Sequence, residues 1–81
     1  MLKIYGTMQC KDCVECVNAY KKKGIRYEFL EFSESLIFLK EFLLLRDADP
    51  AFAEIRGSGK IGIPCVVAPD GTVTLDWEQF V

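Results

Sequence analysis

The sequence predicts a single α/β domain that opens with a strand–helix–strand unit. Three observations point there. A short apolar run, "LKIY" at residues 2–5, precedes a helical repeat over residues 10–23. An alternating run, "IRYEFLEF" at residues 25–32, follows it. A unit of that length implies a parallel strand pair with a right-handed crossover. Further along, "IPCVVA" and "VTL" flank the turn "PDGT", which reads as an antiparallel hairpin. Together these make a four-stranded mixed sheet flanked by helices, in the order βαβ, helix, short helix, ββ, helical end. A chain of 81 residues supports one such domain and one modest core, so residues 1–81 form a single unit.

Each element has a local reason. Gly6 and Thr7 break the first strand. In the first helix Cys13, Val17 and Tyr20 share one face, with Val14 and Cys16 at its flanks, and Lys11, Asp12, Glu15, Asn18 and Lys22 take the other. Gly24 stops it, and the lysines at 21–23 suit its negative end. In the second strand Ile25, Tyr27, Phe29 and Glu31 point one way. Ser33 or Ser35 caps a second helix that runs to about Arg46. Its stretch "LIFLKEFLLL" is apolar nearly all round, and burial against the sheet is expected, with a short third helix covering the remainder. That third helix, "DPAFAEIRG", has Asp49 as cap, Pro50 at its first position and Gly57 as stop. Asp76 with Gln79 reads as a capping box opening a last helical turn.

Composition narrows the function. Hydrophobic residues make up 51% of the chain, which argues for a folded globular protein. Ten basic and twelve acidic residues give a net charge of −2, with no basic cluster beyond Lys21–Lys23, so no nucleic-acid partner is expected. "MLKIYG" lacks the features of a signal peptide. The apolar run at 36–45 is short of the about 20 residues that span a bilayer. The expectation is a soluble cytoplasmic monomer without a membrane partner. There is no histidine, which removes Cys–His pairs, Ser–His–Asp triads and Cys/His zinc sites.

The chemistry lies in "YGTMQCKDCVEC", residues 5–16, which holds three of four cysteines. Cys10 falls where the first helix begins, and Cys13 lies one turn on. A thiol at a helix N-terminus meets unpaired N–H groups and the positive end of the dipole, which lower cysteine pKa from about 8.5 to roughly 3.5–7.5. Cys10 is therefore the candidate nucleophile. Cys13, displaced toward the buried face, is the candidate resolving thiol. A structural staple fits poorly, because a bridge between residues three apart closes almost no loop. Cys16 and Cys65 read as core residues. The run CxxCxxC copies three ligands of a ferredoxin cluster. On a continuous helix, however, successive cysteines drift by about 60°, so no metal is expected. "RGSGKIG" is not a phosphate loop: its first glycine would fall at Glu54, and Ile61 follows Lys60 where Ser or Thr is required.

"MLKIYGTMQCKDC" together with "GIPCVV" resembles the glutaredoxins, of thioredoxin-like fold. Residues 39–77 look closest to the bacterial glutaredoxin-related proteins. The resemblance implies a thiol–disulfide oxidoreductase acting on protein disulfides or mixed disulfides, with Cys10 and Cys13 as catalytic residues. It implies that Pro64 is a cis-proline beside them, exposing the Ile63 backbone to an extended substrate. It implies no bound cofactor, and glutathione, another thiol or a reductase as reductant. The chain departs from the family pattern at Lys11-Asp12 where Pro-Tyr is common. It departs also at Thr7, where a glutathione-binding lysine often stands, and at "LDWEQF", where a Gly-Gly-Asp stretch grips glutathione. The rival reading is a non-catalytic redox-sensing or metal-responsive binding module.

Overall fold

The computed structural model describes all of residues 1–81. Strand β1 (Leu2–Gly6) leads into helix α1 (Lys11–Lys23), strand β2 (Tyr27–Glu31) and helix α2 (Leu36–Ala48). A 3₁₀ turn (Pro50–Phe52), strands β3 (Cys65–Val67) and β4 (Val73–Thr74) and a final 3₁₀ turn (Trp77–Phe80) complete the chain. The sheet has the order β2-β1-β3-β4. β1 runs parallel to β2, with Leu2 opposite Tyr27 and Gly6 opposite Glu31. β3 is antiparallel to both β1 and β4. This is the α/β class with a four-stranded mixed sheet that the sequence predicts.

Alternation along the strands divides the core between the two faces of the sheet. Leu2 and Ile4 of β1 and Val66 of β3 pack with Cys16, Val17 and Tyr20 of α1. Their neighbours Tyr5 and Cys65 point the other way, to Leu30, Phe42 of α2 and Phe52. Trp77 closes the first layer: its ring meets Tyr20 edge-on, and its carbonyl accepts the Tyr20 hydroxyl at 2.9 Å.

The helix ends follow local chemistry. Gly24 takes the left-handed conformation (φ 69°) that lets its N–H return to the carbonyls of Tyr20 and Lys21. Ser35, not Ser33, caps α2 by accepting the Ile37 N–H, and Asp49 caps the 3₁₀ turn through the Ala51 N–H.

Three expectations are corrected. The capping box at Asp76 does not form, because its side chain makes no cap bond. The Gln79 amide instead donates to the Thr74 hydroxyl at 2.8 Å and to the Asp76 carbonyl. The third helix tightens to one 3₁₀ turn followed by turns as far as Gly59. Helix α2 is not covered all round: Phe42 alone is fully buried, while Leu36, Ile37 and Leu44 are 71%, 67% and 72% exposed. The short turn at Pro50 packs against the inner side of α2 through Phe52 and leaves this outer stripe open. No helix is long and apolar enough to cross a membrane.

Candidate active site at the Cys10–Cys13 pair

Between β1 and α1 the chain makes a tight turn. The Thr7 carbonyl accepts the Cys10 N–H at 3.0 Å, and the Thr7 hydroxyl accepts the Gln9 N–H at 3.3 Å. Cys10 is the N-cap of α1, in extended backbone conformation, and its carbonyl takes the Val14 N–H. No side chain caps this helix end, so its first N–H groups stay unpaired beside the partly exposed Cys10.

Cys13 sits one turn on and is fully buried. Burial pushes its thiol up to about 12. The Thr7 backbone amide works against this, while the Cys10 and Cys16 sulfurs add to it. The pair is thus asymmetric, one sulfur reachable from solvent and the other held neutral beneath it. The space for Cys13 comes from Gly6. A Cβ on Gly6 would lie 2.6 Å from the Cys13 sulfur, closer than such atoms approach.

Cys16 and Cys65 are buried in opposite core layers. Burial raises Cys16 to about 11 and Cys65 to about 12. All four cysteines are free thiols, and no three acidic or cysteine side chains converge on a common point.

The Ile63–Pro64 bond is cis, as the resemblance implies. It stands beside β1: one step past the Tyr5–Cys65 pair of the β1–β3 ladder come Gly6 and Pro64. A cleft of about 400 Å³ separates Ile63 and Pro64 from Asp12, the residue before Cys13, with Lys60 and Leu75 at its rim. The structure therefore sets Asp12 of the CxxC turn across a cleft from both predicted substrate-contacting residues. The Ile63 N–H and C=O make no hydrogen bond within the chain and are free for a ligand.

Three supporting residues had no local signal in the sequence. Gly62 (φ 93°) adopts a conformation open to glycine, and a Cβ there would lie 2.7 Å from the Phe52 ring. Arg46 of α2 donates from Nε to the Ile61 carbonyl (2.9 Å) and from Nη2 to the Lys60 carbonyl (2.8 Å), pinning the segment before Pro64. Glu31, at the end of β2, accepts the Met8 N–H at 2.8 Å and the Ser33 N–H at 3.0 Å.

No family model and no solved structure matches the chain. An uncharacterized protein of Haemophilus influenzae is 36% identical over 71 residues, spanning 88% of this chain and 83% of that protein.

Proposed function

We propose that this chain, which belongs to one family with the Haemophilus influenzae protein, is a glutaredoxin-like thiol–disulfide oxidoreductase of thioredoxin-like fold. The observation that carries the reading is the asymmetry of the pair. A partly exposed cysteine stands at the N-cap position of a helix whose first N–H groups no side chain pairs, and a buried neutral thiol lies one turn behind it. The sheet order, the parallel β1–β2 pair and the cis Ile63–Pro64 bond support the fold assignment.

The chemistry runs in two exchanges. The Cys10 thiolate attacks one sulfur of a substrate disulfide, whose S–S bond breaks. A Cys10–substrate disulfide forms and the departing sulfur takes a proton. Cys13 then gives up its proton and attacks the Cys10 sulfur. The second substrate sulfur leaves and is protonated in turn. The substrate gains two electrons and two protons, and the chain is left with a Cys10–Cys13 disulfide. The first exchange prepares the second: once Cys10 is in a covalent bond, its charge no longer opposes ionisation of Cys13. The free Ile63 backbone groups suit an extended substrate segment in the cleft. Glutathione, another thiol or a reductase then reduces the pair, in a reducing cytoplasmic setting and by a monomer. The substrate is a protein disulfide or a small mixed disulfide.

One observation favours a second reading, a non-catalytic redox-sensing binding module: the open apolar stripe of α2. A disulfide reductase assay separates the two. Supplied in turn with glutathione and its reductase, and with a thioredoxin reductase system, the chain turns over with at least one. Turnover with neither contradicts the oxidoreductase.

A further inference from the structure

Residues 8 and 9, which lead into Cys10, are exposed. Hydrogen bonds tie both to the chain, and the acceptor for Met8 is remote in sequence. Glu31 faces Gly6 across the β1–β2 pair. One carboxylate oxygen takes the Met8 N–H at 2.8 Å, and the other takes the Ser33 N–H at 3.0 Å. Partial desolvation opposes the charge. The Met8 and Ser33 amides and the Thr7 and Ser33 hydroxyls outweigh it and hold the carboxyl down at about 2. Thr7 carries the restraint onward, since its carbonyl binds the Cys10 N–H and its backbone amide meets the Cys13 thiol.

We propose that Glu31 is a positioning residue for the Cys10–Cys13 pair, its carboxylate bracing residues 7–9 so that the two sulfurs keep their relative placement. The inference rests on the oxidoreductase reading for its purpose, but its geometry stands apart from any substrate. Aspartate would be a methylene too short to span Met8 and Ser33 together. Glutamine keeps one acceptor oxygen, enough for the Met8 N–H, and turns an NH₂ toward the Ser33 N–H.

The test is the equilibrium between the Cys10–Cys13 dithiol and its disulfide in buffers of reduced and oxidised dithiothreitol. This reads how well the two sulfurs are placed and needs neither substrate nor electron donor. Glu31→Ala should lower the equilibrium constant for disulfide formation about tenfold, the order expected for losing hydrogen bonds to a charged group. Glu31→Gln should fall between Glu31→Ala and the wild type. Amide exchange at Ser33 should speed up in both and that at Met8 in Glu31→Ala, while Cys16 and Cys65 stay protected from alkylation. If Glu31→Ala does not fold, Glu31→Gln carries the same readouts. Wild-type equilibrium constants in the folded variants overturn the proposal. So does a fall accompanied by labelling of Cys16 and Cys65, which would mark a general loss of structure. Absence of turnover in the wild type would instead sink the oxidoreductase reading and leave these readouts intact.

Discussion

The sulfur of Cys13 lies 2.6 Å from the point where a Cβ on Gly6 would stand. The last residue of β1 is thereby matched to the second cysteine of the motif, and the depth of Cys13 depends on a glycine seven residues earlier. Gly6→Ala should force the sulfur or the strand to shift. Overpacking of this kind costs about 1–3 kcal/mol. The expected outcome is a lower urea midpoint together with slower resolution of a mixed disulfide at Cys10. An unchanged midpoint and an unchanged resolution rate would show that the site yields freely.

The buried thiols make stability depend on alkaline pH. Burial raises Cys13 and Cys65 from 9.0 to about 12 and Cys16 to about 11. The unfolded chain gives up these protons first, so it binds fewer of them above pH 9. The stability linked to the neutral thiols is therefore complete below about pH 9 and is lost as pH rises toward 11–12. Tyr5 and Tyr20, also raised by burial, add the same sign above pH 10. Urea midpoints should fall between pH 8 and pH 10.5, and Cys16→Ala should make that fall shallower. A flat profile would contradict the burial of these groups.

How far these features could be read in advance depended on their range. The strand–helix–strand start, the caps at Ser35 and Asp49 and the position of Cys10 at a helix start follow from residues within a turn of one another. The cis Ile63–Pro64 bond came with the family resemblance. The brace at Glu31 could not be read locally, because its donors at Met8 and Ser33 lie on either side of it and one is 23 residues away. The same holds for Arg46 and Gly6. In α2 the apolar residues run round the helix, so periodicity could not say which side faces the sheet. At Asp76 the local motif was present but lost to Thr74, whose hydroxyl accepts the Asp76 N–H at 3.0 Å.

Arg46 offers a way to loosen the cleft without touching a cysteine. Its two bonds to the Lys60 and Ile61 carbonyls need the fork of a guanidinium, which lysine lacks. Arg46→Lys should raise KM for a protein disulfide about fivefold, with a smaller effect on kcat, since about one hydrogen bond is lost. Steady-state kinetics over a range of substrate concentrations decides it. A fall in kcat at constant KM would place the effect at the chemistry instead.

The central claim is the division of labour between Cys10 and Cys13, and trapping with single mutants tests it most directly. Incubated with a disulfide substrate, Cys13→Ser should accumulate a covalent complex through Cys10 that added dithiothreitol releases, because attack survives and resolution is gone. Cys10→Ser should form no such complex, since a serine hydroxyl is a far weaker nucleophile and Cys13 is buried and neutral. Mass spectrometry of the trapped species reads both outcomes. A complex through Cys13 in the Cys10→Ser protein, or none in the Cys13→Ser protein, would contradict the assignment.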